Sequence, residues 1–407
     1  MKTKDFIERV FSRYTGEKIE IQFPDGSRSA YGAVDNGRFV RVVFRTGKGL
    51  KNFMLRGDIG FAESYMLGEI QVEGDLADCL SVPYDPSLSL FEPTLQDKVK
   101  FLLMFLKNRN TLKGSKRNIT AHYDLGNDFY RLWLDEYMQY TCAFFDNPEQ
   151  SLEDAQLNKM EYVCRKLELK PGERVLETGS GWGGFAVYAA KHYGVTVSSY
   201  NISHEQVLYA RKWAEREGLT EQIEFLEEDY RNVKGTYDKV ASIGMLEHVG
   251  KDNYQIFADI IAGHLKEEGL GLIHSITKRH PVPTDLFTDT YIFPGGYIPA
   301  LSEVIPPLEK HNFIIFDIDN LRLHYARTLH FWRERFYEHR EEVQKSFGEQ
   351  FVRMWDVYLS GAIASFSAGD LTLSQLLIGK GKMTHSRLNR KAFLDPEGED
   401  YHWNFWT

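Results

Sequence analysis

Residues 175–184 read VLETGSGWGG. Gly179, Gly181 and Gly183 alternate with Ser180 and Trp182 directly after an apolar run. Glycines at that spacing permit a tight turn and let a ligand approach the backbone closely. With a strand before it and a helix after it, such a turn sits at the carboxyl end of a strand, where open parallel sheets hold nucleotides. Glu177 precedes the first of these glycines by two residues. The next strand-like run, VTVSSYNIS (195–203), lacks the Asp or Glu that commonly grips ribose hydroxyls. Asn201 and Gln206 are the polar substitutes within reach, and an amide can both donate to and accept from a hydroxyl. The histidines form no ligand cluster at useful spacing and there is no CxxC pair, so no metal site is expected.

The elements that must position this turn alternate along the chain. RVLET (174–178), VTVSSY (195–200), QIEFLE (222–227), DKVASIG (238–244) and LGLIHSIT (270–277) read as strands, with helices from about 183 and over 203–217. Strand alternating with helix predicts an α/β fold, a doubly wound, mostly parallel sheet covered on both faces. FIIFDI (313–318) and LRLHYA (321–326) are expected to pair as strands at the sheet's edge. Helices over 327–345 and 349–367 follow, and LTLSQLLIGK (371–380) reads as a last strand. In this setting the glycine spacing departs from the G-x-G-x-x-G of dinucleotide folds. The acid-x-G-x-G-x-G form is the usual entrance to S-adenosylmethionine in class I methyltransferases. A dinucleotide site and a purely structural turn stay open as readings of the motif alone.

Upstream, residues 1–93 form a smaller α+β domain by pattern. IEIQF and RFVRVVF are strand-like, PDGS (24–27) is a turn, and 59–76 reads as helix, turn and strand. Pro83, Pro86 and Pro93 mark a linker. Residues 94–118 read as a basic amphipathic linker helix, with Lys98, Lys100, Lys107, Arg109, Lys113, Lys116 and Arg117 against Asp97. Such a helix fits either an interfacial membrane contact or ordinary packing between two domains. Residues 119–407 are the expected catalytic domain.

The 407 residues suggest two or three domains and bury a sizeable core without staples. The longest apolar run, FLLMFL (101–106), is far short of the roughly twenty residues of a spanning helix. The N-terminus shows no apolar signal region. Three cysteines (Cys79, Cys142, Cys164) are too few for a disulfide scaffold and suggest a reducing, cytoplasmic setting. A net charge of −9 argues against nucleic-acid binding.

Several separated blocks together resemble the cyclopropane-fatty-acyl-phospholipid synthase family, which includes the mycolic acid cyclopropane synthases. They are NITAHYDLGNDFYRLWLDEYMQYTCAFF (118–145), VLETGSGWGGFA, NISHEQ (201–206), EDYRN (228–232), SIGMLEHVG (242–250), YIFPGGYIP (291–299) and LRLHYARTLHFW (321–332). The resemblance runs from about 57 to about 380. Ser180 stands where the family usually has Cys, Thr141 where it has Ser, and Asn201 where it has Thr.

The resemblance implies a seven-stranded, Rossmann-like form for the α/β sheet. It implies transfer of a methylene from S-adenosylmethionine to a cis double bond of an unsaturated phospholipid acyl chain. It implies bicarbonate as the base, held at Cys142, Glu247, His274, Ile276 and Tyr325. In that set His274 and Tyr325 donate to the anion. Glu247 accepts its hydroxyl proton or orients His274, and Cys142 and Ile276 contribute backbone groups. It further implies a cofactor site of Tyr140, Thr141, Glu177, Gly179, Ser180, Gly181, Gly183, Asn201, Gln206, Tyr230 and Arg231, with His122 and Tyr123 closing over it. Phe144, Phe145, Tyr291, Phe293 and Tyr297 are the expected acyl-tunnel aromatics. The implied partners are the membrane surface, met peripherally from the cytoplasm, and a second copy in a homodimer. A related lipid C-methyltransferase, a small-molecule N- or O-methyltransferase and a non-catalytic lipid-binding protein are the competing readings.

Overall fold

A computed structural model describes residues 7–8, 11–35, 37–88, 125–381 and 391–394. The basic segment 94–118, His122 and Tyr123 lie outside the described residues. The chain divides into two compact units that interleave along the sequence. One takes Met1–Asn108, Pro283–Pro294 and Leu329–Leu371; the other takes Arg109–Val282, Gly295–Thr328 and Thr372–Thr407.

The first unit is built on a four-stranded sheet of order β2-β1-β3-β4. Its strands are β1 (Ile19–Gln22), β2 (Arg28–Tyr31), β3 (Val40–Phe44) and β4 (Ile70–Gly74). β1 and β2 form an antiparallel hairpin, β3 lies parallel to β1, and β4 is antiparallel to β3. The hairpin turns at PDGS, where Gly26 takes φ +83°. Period-two burial puts Ile19, Ile21, Val40, Val42 and Phe44 into one core. The helix Gly47–Met66 joins β3 to β4 and is broken at Gly57 (φ 57°, ψ −133°). The late helices Arg340–Phe347 and Glu349–Ala368 belong to this unit, and Val357 packs into its core. The Arg333 guanidinium donates to both carboxylate oxygens of Asp75 at 2.9 and 2.6 Å. Asp75 in turn caps the helix Leu76–Ser81.

The second unit carries a seven-stranded sheet of order β10-β11-β9-β8-β5-β6-β7. The strands are β5 (Arg174–Thr178), β6 (Thr196–Asn201), β7 (Ile223–Glu227), β8 (Tyr237–Ile243), β9 (Leu265–Lys278), β10 (Ile314–Asn320) and β11 (Leu371–Gly379). β5 pairs in parallel with β6 on one side and β8 on the other, so the strand order reverses at β5. β6–β7 and β8–β9 are parallel too, while β10–β11 is antiparallel. Alternate residues feed two cores, one per face. Val175, Val197, Ala241 and Leu272 join one; Leu176, Tyr200, Val240 and Ile273 join the other. This is the doubly wound sheet that the strand–helix alternation predicts.

The edge differs from the expectation. LRLHYA is not a strand: Arg322–Glu338 is one helix, and the edge partner of β10 is β11, about fifty residues later. Asn320 Oδ1 accepts the Arg322 N–H at 3.0 Å, and the Tyr325 N–H bonds Leu321 O at 3.0 Å, which starts the helix. The alternation in LRLHYA mimics period two over six residues. The buried set Tyr325, Leu329, Trp332 and Phe336 repeats every three or four. The helix expected over 327–345 is also two, breaking at His339, and Gly348 (φ +86°) separates the next.

Candidate active site

The glycine turn begins where β5 ends. The N–H groups of Gly179 and Ser180 both donate to Tyr200 O, at 2.8 and 3.2 Å, which folds the turn back onto β6. Gly179, Gly181 and Gly183 all have positive φ: 87°, 50° and 94°. Their surroundings differ. A Cβ on Gly181 would meet nothing within 4 Å, so this glycine lies open to the cleft. A Cβ on Gly183 would come 2.8 Å from the Phe225 ring and 2.9 Å from Ala210 Cβ. Gly183 therefore serves the seating of the helix Gly184–Tyr193 against its neighbours, and it is not among the residues lining the cleft.

Asn201 and Gln206 divide the work expected of them. Asn201 Nδ2 donates to Ser180 Oγ (3.0 Å), Gly181 O (3.1 Å) and Gln206 Oε1 (2.9 Å), while its Oδ1 accepts the Ser203 N–H. Asn201 is thus spent bracing the turn. Gln206 Nε2 is buried without a partner, and Gln206 lines the cleft. Buried unpaired donors are costly, so this one points to a group that the cleft receives.

Two further walls complete the cleft. Met138–Thr141 form one, packed so close to the backbone that a Cβ on Gly244 would stand 2.7 Å from Thr141 Cγ2. The ends of β7 and β8 form the other, with Asp229, Tyr230, Met245 and His248. The hydroxyl of Tyr230 is a second buried polar atom without a partner. Arg231 stands outside the lining: its Nε and Nη2 donate to Asp229 Oδ1 (2.8 Å) and Oδ2 (2.7 Å) and fix that carboxylate at the cleft edge. Glu177, 2% exposed, closes the floor; burial pushes its carboxyl up to about 7.

These elements meet at the carboxyl end of β5, where the strand order reverses, the place where open parallel sheets bind nucleotides. The model of the mycolic acid cyclopropane synthetase family matches residues 110–376. The chain belongs to that family. A second model, of a domain of unknown function (DUF7884), matches residues 6–94. The cyclopropane-fatty-acyl-phospholipid synthase of Escherichia coli K12 is 35% identical over 346 residues, covering 84% of this chain and 88% of the relative. A probable fatty acid methyltransferase of Pseudomonas putida is 34% identical over 325 residues, covering 78% and 81%. Among solved structures, the cyclopropane synthase MmaA2 from Mycobacterium tuberculosis superposes with a TM-score of 0.63 at 31% identity, over 65% of this chain and 98% of that one. The mycolic acid cyclopropane synthase CmaA1 complexed with SAH and CTAB gives 0.63 at 29% identity, with the same coverage. The family is one of S-adenosylmethionine-dependent methyltransferases, and the fold is theirs.

In this member of the cyclopropane synthetase family, three of the residues expected to hold bicarbonate, Glu247, His274 and Ile276, lie on or just after β8 and β9, while Cys142 and Tyr325 come from other elements and none of the five lines the cleft. Gly244, which lines the cleft, donates its N–H to His274 O at 2.8 Å. Three residues on, Glu247 Oε1 accepts the Ile276 N–H at 2.7 Å. Its Oε2 is shielded from solvent with no partner. His274, 1% exposed, has its Nδ1 3.2 Å from Gln375 Nε2, while its own Nε2 is unpartnered. So the amide of Gln375, not Glu247, orients this imidazole, and the Ile276 N–H is taken by Glu247. Burial drives His274 well below its ordinary pKa, which keeps it neutral, and pushes Glu247 up to about 7. Cys142 is a buried free thiol whose Sγ bonds Ala143 O at 3.2 Å. Tyr325 is buried near the start of the helix Arg322–Glu338.

The expected tunnel aromatics are dispersed. Phe144 stacks on Tyr162 and His324 with ring centroids 4.5 and 4.8 Å away, and Phe145 takes the Arg327 guanidinium over its ring. Tyr297 donates its hydroxyl to Glu303, and Tyr291 and Phe293 belong to the other compact unit. None of the five lines the cleft. Residues missed from the sequence include Asp229 and Trp182, both lining the cleft, and Gln375. Asp229 had a signal, the acid at the end of β7; Gln375 had none, standing 101 residues from its histidine.

Proposed function

We propose that this protein is a cyclopropane-fatty-acyl-phospholipid synthase. It moves a one-carbon unit from S-adenosylmethionine to the cis double bond of an unsaturated phospholipid acyl chain and closes a three-membered ring. The carrying observation is the pair of buried, unpartnered polar atoms, His274 Nε2 and Glu247 Oε2, next to the strand end that lines the cleft. They are of complementary sense. The Gln375 amide nitrogen stands 3.2 Å from Nδ1, and in the tautomer that accepts from it Nε2 carries the ring proton and is a donor. The carboxylate oxygen is an acceptor. A buried donor and a buried acceptor, each left without a partner, support an anion that carries its own hydroxyl, as bicarbonate does.

When bound, S-adenosylmethionine supplies an electrophilic methyl group and bicarbonate supplies a base. The chain's own part is positional. Gly181 leaves the turn open, Asn201 braces it, and Gln206 Nε2 and Tyr230 OH offer the cofactor two unspent hydrogen-bonding groups. With S-adenosylmethionine held there, the alkene would take the methyl group as its S–CH₃ bond breaks and S-adenosylhomocysteine leaves; the resulting carbocation would close to the ring as bicarbonate takes a proton from the new methyl group. His274 holds the base's anionic oxygen, and Glu247 accepts its hydroxyl proton, which turns the base toward that methyl group. Tyr325 is the second donor to the anion, with Cys142 at the same site.

The reading includes peripheral attachment to the cytoplasmic membrane face and a homodimer. Among the described residues no helix is long and apolar enough to cross a membrane. The named fatty acid methyltransferase relatives favour a second reading, a lipid C-methyltransferase that leaves a methyl branch or methylene. Purified protein incubated with S-adenosylmethionine, bicarbonate and vesicles of unsaturated phospholipid separates the two. Acyl chains heavier by CH₂, with upfield ring protons and no alkene, are the expected product. A heavier chain that keeps its alkene favours the second reading, and no lipid product refutes both. His274→Ala should bind S-adenosylhomocysteine normally and lose ring closure.

A further inference from the structure

Among the groups that the proposed chemistry does not use, Lys159 stands out. Its side chain is 0% exposed, in the middle of the helix Leu152–Lys166. It reaches no solvent, and its two hydrogen-bond acceptors are neutral oxygens: Gln139 Oε1, and Thr141 Oγ1 at 2.9 Å. Gln156, three residues earlier on the same helix face and also 0% exposed, donates through Nε2 to Thr141 O at 2.9 Å and to Gln139 O at 3.4 Å. Between them these two side chains take hold of one short segment four times.

That segment is the Met138–Thr141 wall of the cleft. On its opposite side it has no room to yield. A Cβ on Gly184 would fall 2.2 Å from Gln139 Nε2, and one on Gly244 falls 2.7 Å from Thr141 Cγ2. The wall is therefore pressed between bare backbone on one side and two buried polar side chains on the other. An aliphatic chain at 159 would fill the same space but leave two buried oxygens without donors. Burial lowers the Lys159 ammonium to about 8, although Asp135, Cys142 and Glu177 all work to raise it. Its charge is felt at Cys142, Glu177 and His274, but its hydrogen bonds all go to the wall, so its direct contacts are geometric.

We propose that Lys159 and Gln156 are positioning residues of the cofactor site, a two-point clamp that sets the distance of the Gln139–Thr141 wall from the glycine turn. The inference rests on the reading of the cleft as the S-adenosylmethionine site. The clamp acts on binding, because it touches a wall and not the reacting carbon.

The test uses the full chain with Lys159→Met and, separately, Gln156→Met, titrated calorimetrically with S-adenosylhomocysteine. Lys159→Met should weaken binding by at least about tenfold and Gln156→Met by about threefold or more, in line with the loss of charged and neutral hydrogen bonds. KM for S-adenosylmethionine should rise in step while kcat at saturating cofactor stays within about twofold. A purely structural role would lower the melting temperature without that split. A folded Lys159→Met variant with unchanged affinity, or one that loses kcat at unchanged affinity, overturns the clamp. If Lys159→Met does not fold, Gln156→Met decides by the same criterion. The unsubstituted chain is titrated first: failure there to bind S-adenosylhomocysteine overturns the cofactor reading itself, and the clamp with it.

Discussion

Glu177 sits at the floor of the cleft with its carboxylate out of water, accepting a hydrogen bond from Ser199 Oγ. Burial raises its pKa from 4.5 to about 7, against the lowering effects of Ser199 and Lys159. The unfolded chain therefore ionises at Glu177 before the folded one does. Between about pH 4.5 and 7 the folded state binds more protons, so stability falls as pH rises through that window and stays lost above it. At about 1.4 kcal/mol per unit, the full elevation is worth about 3 kcal/mol at most, of which about 2.5 kcal/mol is lost between pH 5 and pH 8. Glu177→Gln removes the titration and keeps the shape. It should lie within about 1 kcal/mol of the parent chain at pH 5 and gain up to about 2.5 kcal/mol more by pH 8, a further rise of about 3 °C in Tm for a chain of this length. Paired denaturation curves of the two chains at pH 5, 6, 7 and 8 give the difference directly. A difference that does not grow with pH, or that grows in the opposite sense, refutes the reasoning. A gain at pH 8 coupled to weaker binding of S-adenosylhomocysteine would mark Glu177 as a charge kept for the ligand at the fold's expense.

Glu247→Gln keeps an acceptor for the Ile276 N–H but puts an amide N–H₂ donor where Oε2 stands. Turnover should fall about 10- to 100-fold with cofactor affinity unchanged, and the activity that rises through about pH 7 in the parent as Glu247 ionises should become flat. Gly183→Ala places a Cβ 2.8 Å from the Phe225 ring at φ +94°; chemical denaturation should show a loss of about 2–4 kcal/mol. Arg231→Met frees the Asp229 carboxylate from its bidentate partner, and calorimetry should show S-adenosylhomocysteine binding about three- to tenfold weaker.

What was legible in the sequence was what is local. Five strands of the second unit lie within a few residues of their apolar runs, because a buried strand needs four to eight apolar positions in a row. The glycine turn was found for the same reason, since its backbone demands are met by neighbours in the chain. LRLHYA failed because six residues cannot separate period two from period 3.6; the helix declares itself only at Trp332 and Phe336. The first unit's borrowing of 283–294 and 329–371 was likewise unreadable, since no local pattern records which core a helix will join.

The candidate site divides along the same line, and the division bears on its chemistry. Gly181 and Gly183 look alike in VLETGSGWGG, yet one is open to the cleft and the other is a close contact with Phe225. Both functions require the absence of a Cβ, so no motif can tell a ligand glycine from a packing glycine. The polar residues show the converse. Asn201 carries the type expected of a ribose contact, but its amide is consumed by the turn, and the free donor is five residues on at Gln206. Lys159 and Gln375 carried no signal, because what they do depends on partners 18 and 101 residues away. In each case the residue type told which hydrogen bonds were possible, and only the count of bonds already made told which were left for a ligand. Among the buried atoms still unspent are Gln206 Nε2 and Tyr230 OH at the cleft, and His274 Nε2, Glu247 Oε2 and Gln375 Oε1 at and around the end of β9. The first two belong to residues that line the cleft, and His274 Nε2 and Glu247 Oε2 are the pair on which the bicarbonate proposal rests.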